Sequence, residues 1–292
     1  MITNPALLTV SSTINGSIAA VSSNICPGVP MQLQLTSASG PSPYTLQINS
    51  TTYTGINIGQ PFRAVQANES IWTPSNTPNE NTVADNLSVE LGVKFKSSKD
   101  GIIKGIRFYK GSTANGGTHI GSLWSQAGTL LASATFTNET SSGWQEVLFS
   151  TPVAVTANTI YVAAYLLPQG NYSRTYNYFL SSGYSNGNSL TAPLSTGAEP
   201  NGVYLYTNSS AFPDSTSGNS NYWVDVVFAA YTTTTTTFNL TTITASNACS
   251  LTGNPISTTS ITVSAGQNAG TVSGLSPLCI GCGGSDTQWR QS

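Results

Sequence analysis

The chain has 292 residues, of which only 7% are charged, and a formal net charge of −2. An average soluble domain carries roughly 25% charged residues, so solubility here rests on the hydroxyl and amide groups of Ser, Thr, Asn and Gln. So small a net charge excludes a global field that would recruit nucleic acid or an acidic membrane, and no apolar run reaches the roughly 18–20 residues of a membrane span.

The length suits about two domains. Apolar and aromatic residues recur with period two between clusters of Gly, Asn, Ser and Pro, and long amphipathic helical patterns are missing. This predicts an all-β chain. Residues 1–24 alternate weakly through Leu8, Val10, Ile14, Ile18 and Val21 and suit one or two edge strands. Met31–Leu35 is a period-two strand with an apolar face. Gly40–Pro43 makes a turn, Tyr44–Ile48 and Thr52–Ile58 are the next strands, and Pro61-Phe62 ends this run. Three or four strands alone leave unpaired edges. A self-contained β-domain with an aromatic core then runs from Ile71 to Phe228.

The strands missing from the first run follow that domain. Thr236–Leu240 with Ile243 reads as one long strand, Asn247–Pro255 as a loop and Ile256–Val263 as the closing strand. The Thr232–Thr237 run leads into a strand rather than forming a mucin-like linker, because Phe238-Asn239-Leu240 follows at once. Together the two flanking halves hold about seven short strands, the number of an Ig-like sandwich. The expected domains are 1–64 with 231–266, then 65–230, and a Gly/Ser-rich tail at 267–292.

Two resemblances add to this. Ile25-Cys26-Pro27-Gly28, Pro43-Tyr44-Thr45-Leu46, the Thr-rich lead into Phe238-Asn239-Leu240, and Asn247-Ala248-Cys249 resemble the Ig-like repeats of large Bacteroidetes surface proteins. In those repeats the Thr-rich strand follows soon after the third or fourth strand. The long intervening segment here therefore reads as an insertion. That segment carries Ser70-Ile71-Trp72, Leu91-Gly92-Val93-Lys94-Phe95, Gly105-Ile106-Arg107-Phe108-Tyr109-Lys110-Gly111, Gly117-Thr118-His119-Ile120-Gly121-Ser122-Leu123-Trp124, Ser142-Gly143-Trp144-Gln145, Phe149-Ser150-Thr151-Pro152-Val153 and Asn221-Tyr222-Trp223-Val224-Asp225. It resembles a bacterial domain family of unknown function, DUF4082. That resemblance implies a jelly-roll-like sandwich in secreted, modular, often carbohydrate-associated proteins, and it brings no established catalytic or ligand residues. The expected fold class is all-β: an Ig-like β-sandwich split by an inserted, larger jelly-roll-like β-sandwich.

The start, Met1-Ile2-Thr3-Asn4-Pro5, lacks the charged and apolar regions of a signal peptide, yet the composition is that of a secreted protein. The expectation is an extracellular or cell-surface location, with a leader already removed or the chain a fragment of a longer polypeptide. Cys26 and Cys249 lie in the two flanking halves. They either form a disulfide that fastens the split domain across the insertion or stay two buried thiols. Cys279 and Cys282 form a lone C-x-x-C, read as a local or interchain disulfide, because tetrahedral zinc needs two further ligands.

Catalysis is poorly provided for. His119 is the single histidine, no G-x-S-x-G nucleophile elbow is present, and no catalytic residue is assigned. Glu90, Glu139, Glu146 and Asp225 are the candidates for a glycosidase-like carboxylate pair. Lys94, Lys96, Lys99, Lys104, Arg107 and Lys110 form a basic run. Lys94 and Lys96 project outward from one strand, either as a solvated face or as a site for anionic glycans. Trp124, Trp144 and Trp223 read as core. Tyr165, Tyr172, Tyr176, Tyr178 and Tyr184 run through a polar stretch, and a long aromatic loop of this kind often binds. The candidate ligand contacts are Tyr172, Tyr176, Tyr178 and Tyr184, with His119 and Lys110 as polar partners. No cofactor is expected. A structural Ca²⁺ near Asp225 or Asp100 stays open, although no D-x-D-x-D-G loop is present.

The function expected is that of a non-catalytic unit of a secreted bacterial surface protein with a structural or adhesive role. Self-assembly by β-strand addition would make it a homo-oligomer or filament. The alternative is a carbohydrate-binding module using the Tyr-rich 167–195 loop. The expected partners are a glycan or another cell-surface component, with no nucleic acid and no membrane span.

Overall fold

The computed structural model describes residues 16–21, 24–25, 30–38, 43–48, 51–232, 236–245 and 260–265. Cys26, Cys249, Cys279, Cys282, the 267–292 tail and the first part of the expected 256–263 strand lie outside the described residues. The first segment supplies β1 (Gly16–Ala20), β2 (Asn24–Ile25), β3 (Gln32–Ala38), β4 (Tyr44–Ile48), β5 (Thr51–Ile56) and β6 (Pro61–Arg63). The middle segment supplies β7 (Val89–Ser97), β8 (Gly101–Lys110), β9 (Ile120–Ser125), β10 (Leu130–Thr135), β11 (Gly143–Val155), β12 (Tyr161–Leu167), β13 (Leu190–Thr191), β14 (Val203–Tyr206), β15 (Ser215–Thr216) and β16 (Val224–Ala230). The last segment supplies β17 (Thr236–Ala245) and β18 (Ser260–Ala265). The protein is all-β, with no α-helix among the described residues. No helix of the described residues is long and apolar enough to cross a membrane.

Two compact units divide the chain: Met1–Gln66 with Tyr231–Ser292, and Ala67–Ala230. In the first unit one sheet has the order β1-β3-β6 and the other β2-β18-β17-β4-β5. Period two turns Met31, Leu33 and Leu35 inward, where they meet Tyr44, Leu46 and Ile48 in one buried cluster. The returning chain is stitched on by backbone hydrogen bonds from Met31 to Thr232 and from Thr232 to Ala64, at 2.8 and 2.9 Å. The long β17 serves two partners. Thr236–Asn239 pairs with β18, and after a register shift Leu240–Ala245 pairs with β4.

The second unit is a β-sandwich. Its larger sheet runs β10-β9-β12-β7-β14-β15, with β13 also paired to β7, and the smaller runs β11-β8-β16. Between them lie Leu91, Val93 and Phe95 of β7, Ile106 and Phe108 of β8, Leu123 of β9 and Val226 and Phe228 of β16. Tyr165, grouped in the sequence with the loop tyrosines, instead belongs to β12 and stacks in this core on Phe108, with centroids 4.3 Å apart. The rest of the tyrosine-rich stretch, residues 168–189, has no strand. Isolated bridges pin it and its flank at Glu80–Arg174, Thr175–Asn221 and Tyr184–Ala192.

Candidate functional site

The tyrosines of that stretch divide between two places. Tyr178 and Tyr184 turn inward onto three tryptophans. Trp72, fully buried, lies parallel to Trp144 at 6.4 Å and to Tyr184 at 6.1 Å, and tilted against Trp223 at 5.8 Å. Its indole N–H donates to the Tyr178 hydroxyl at 3.3 Å, and Tyr184 Oη donates to Asn76 Oδ1 at 2.8 Å. Trp223 has a φ of 56°, a strained backbone for so bulky a residue. It is held there by bonds from its backbone N–H to Asn221 Oδ1 and from Nε1 to Thr175 Oγ1.

Tyr172, itself buried, meets a second set of tyrosines. Its ring meets Tyr222 edge-on at 5.7 Å. β14 places Tyr204 and Tyr206 two residues apart on one side of the strand, with ring centroids 5.6 Å apart. The 80–87 segment crosses beneath, through backbone bonds Val83 N to Tyr172 O and Asn171 N to Asp85 O. Gly170 makes that crossing fit: its φ is +62°, and a Cβ there would lie 1.6 Å from the Asp85 carbonyl oxygen. Tyr206, 50% exposed, donates to Asp85 Oδ2 at 2.6 Å. This hydrogen bond, with some burial, holds the Tyr206 phenol well above the ordinary value. Burial does the same at Tyr172 and Tyr222, so these phenols stay neutral. Arg174 forms a fork on Glu80, with its Nη2 3.2 and 3.0 Å from the two carboxylate oxygens, and lies over the Tyr176 ring at 5.4 Å. Tyr176 is 53% exposed. It rests on Gly218, where a Cβ would come 1.8 Å from the ring.

His119 and Lys110 belong to neither group of tyrosines. The His119 ring is fully buried. Its Nδ1 is 2.7 Å from Glu139 Oε1 and its Nε2 2.7 Å from Asn115 Oδ1, while Lys110 Nζ donates to Glu139 Oε2 at 2.8 Å. Two acceptors would suit only a doubly protonated ring, yet burial lowers the affinity of His119 for a second proton, against the pull of Glu139. A neutral ring requires the Asn115 amide turned end for end, so that Nδ2 donates to Nε2. That orientation also gives the Tyr165 hydroxyl, an interaction partner of Asn115, an acceptor. It removes two otherwise unpaired buried atoms, Asn115 Nδ2 and Tyr165 Oη. Nitrogen NMR is expected to find the Nδ1–H tautomer and a ring that is still neutral just below pH 6.5, the ordinary value. The folded ring binds its proton more weakly than the unfolded one. Its contribution to stability is therefore complete above that pH and is lost as pH falls through the folded value. A ring that gains its second proton above pH 6.5 would contradict this arrangement.

Residues 75–224 match the family described as a domain of unknown function, DUF4082. The match covers more than half of the 292 residues. The chain belongs to that family. Comparison with curated proteins found no match.

Within the DUF4082 domain Lys94, Lys104, Arg107 and Lys110 of the basic run each have a separate side-chain partner. Lys94 pairs with Glu199 at 3.0 Å and Lys110 with Glu139 at 2.8 Å. Lys104 Nζ donates to Asn68 Oδ1 at 3.0 Å. Arg107 binds Asp225 at 3.2 Å, approaches Glu146 at 3.9 Å and lies over the Trp144 ring at 4.7 Å. Of the four candidate carboxylates, Asp225 and Glu146 are thus brought together, with the Arg107 guanidinium bridging them. Asp225 is fully buried. Burial pushes its carboxyl up to about 6, opposed by Arg107 and by the backbone N–H groups of Ile71, Val226 and Trp72. No cluster of three or more His, Cys, Asp or Glu suited to a metal occurs among the described residues.

Tyr204, Tyr206, Tyr222, Asp85, Glu80 and Arg174 are not among the candidate residues that the sequence alone points to. The spacing of Tyr204 and Tyr206 in Val203-Tyr204-Leu205-Tyr206 was the available signal, since residues two apart on a strand share a face. Nothing local joins the other four to it.

Proposed function

We propose that the chain is a non-catalytic unit of a secreted bacterial surface protein, in which the DUF4082 domain is the adhesive part and binds carbohydrate on the Tyr204–Tyr206 face. The observation that carries this is the half-exposed Tyr206 beside Tyr204, its hydroxyl anchored on Asp85. Neutral phenols offer flat apolar rings with polar edges, which suits the C–H faces and hydroxyls of sugars. Asp85 and the Arg174–Glu80 pair supply acceptors and donors at the margin. A non-catalytic role is supported by His119, whose two ring nitrogens are both engaged in the interior. The flanking unit is read as a Bacteroidetes-type Ig-like surface repeat, and that reading supports a cell-surface location.

A glycan array probed with the full chain is expected to give hits. Tyr206→Ala and Tyr204→Ala are each expected to weaken the binding by about tenfold or more, the loss of roughly 1.4 kcal/mol typical of an exposed aromatic anchor. Tyr184→Phe, which only removes an internal hydroxyl bond to Asn76, should leave it unchanged. An empty array, or equal affinity in both alanine variants, would sink the reading. A second reading, assembly by strand addition, is favoured by β1, which is an edge of its sheet among the described residues. It predicts concentration-dependent oligomers in sedimentation, and a strictly monomeric chain counts against it.

A further inference from the structure

β7 alternates in a way that should leave Glu90 in solvent, since Leu91 and Val93 face the core. Glu90 is instead 0% exposed. The segment joining β14 to β15, residues 207–214, crosses the outer face of the larger sheet and covers it. Thr207 N–H donates to the Ser88 carbonyl at 3.1 Å. Ser210 Oγ lies 2.8 Å from Ser122 Oγ and donates weakly to Glu90 Oε1 at 3.4 Å. Phe212 packs edge-on to Trp124 at 5.9 Å. The absent side chain of Gly92 leaves room for Pro213: a Cβ there would lie 3.2 Å from the proline ring.

This cover encloses a carboxyl group with no cation beside it; the strap offers only the Ser210 hydroxyl and the Ala211 backbone N–H, which oppose the effect of burial. Glu90 Oε2 has no hydrogen-bond partner. The neighbouring strands bring no cation: β9 holds no ionisable group, β12 only tyrosines and β14 only Tyr204 and Tyr206. The strap carries one charge of its own, the exposed Asp214. On β7 itself, Lys94 is committed to Glu199 and Lys96 lies six residues beyond Glu90 along the strand. A neutral carboxyl fits such a place, but an ionised one requires water or a cation.

We propose that the 207–214 strap is a pH-gated cover, closed while Glu90 carries a proton and lifted when that proton leaves. Lifting uncovers Trp124, Val162, Ala164 and Val203, a small apolar cluster otherwise buried. Burial supports the gate by pushing the Glu90 carboxyl from 4.5 up to about 8. Because the closed form binds the proton more tightly, its advantage is complete at low pH. The advantage falls by up to about tenfold per pH unit as pH climbs between those two values, and the loss is complete above about 8.

The test is amide exchange of the full chain at about pH 6 and pH 8, with each rate corrected for the intrinsic pH dependence of exchange. Protection of residues 203–214 is expected to drop at least tenfold in the wild type and to stay level in Glu90→Gln. Equal protection at both pH values, or an equal drop in Glu90→Gln, overturns the proposal. Should that variant not fold, a carboxyl-carbon NMR titration of the wild type decides. A Glu90 midpoint well above the ordinary carboxyl range supports the gate, and one within that range overturns it.

Discussion

Replacing Trp72 by alanine is expected to destabilise the Ala67–Ala230 unit by about 4 kcal/mol, the range for large aromatics removed from a core. Trp72 is fully buried and lies against Trp144, Tyr184 and Trp223 together, so no single neighbour can swing in to fill the space. Its loss also deprives the Tyr178 hydroxyl of the indole donor. The 176–187 segment, which reaches the sandwich through Tyr178 and Tyr184, should then lose protection against amide exchange before the strands do. Urea denaturation followed by exchange within 67–230 measures both effects. A stability loss below about 1 kcal/mol would show that the aromatic cluster repacks freely.

Asp225→Ala is expected to cost a similar amount, about 3–5 kcal/mol, because it removes the nearest acceptor of a mostly buried cation and leaves several backbone donors unpaired. The carboxylate receives Ile71 N–H and Val226 N–H at 2.7 Å each, Trp72 N–H at 3.4 Å and Arg107 at 3.2 Å. It thus ties the lead-in segment at 71–72 to β8 and β16. Asp225→Asn, which keeps one acceptor oxygen and the volume, should recover roughly half of the loss. A null effect in the denaturation midpoint of the alanine variant would mean that water replaces the carboxylate. The two losses should not add. Asp225 holds the backbone of Trp72 directly, and residues sharing contacts couple.

The β-sandwich was readable because period two is a local property. Met31-Gln32-Leu33-Gln34-Leu35 and Val93-Lys94-Phe95 announce which side chains face inward without reference to anything distant. Trp124 and Trp223, read as core from their apolar surroundings, are buried, but Trp124 lies on the outer side of its sheet, opposite Leu123. The same logic sorted the tyrosines poorly. Tyr165 sits within an apolar run and belongs to the strand. Tyr172, Tyr178 and Tyr184 lie in an irregular stretch whose direction is set residue by residue by bridges to 80, 221 and 192. His119 looked like a flexible strand end among glycines. Those glycines instead let the 111–118 loop fold over it, with Gly117 at a φ of +92° against Pro168.

What covers a sheet is the point at which the sequence falls silent. Alternation along Val89–Ser97 states that Glu90 and Lys94 point away from the core. That is correct, but it does not say that residues 207–214 lie across that face and turn one of them into a buried acid. The same holds for the second tyrosine cluster, in which Tyr172 and Tyr222 are buried while Tyr206 stays half-exposed beside Tyr204. Strand patterning follows from the local geometry of the chain. Burial of a polar group and convergence of distant rings depend on which remote segments share space, which only the folded packing decides.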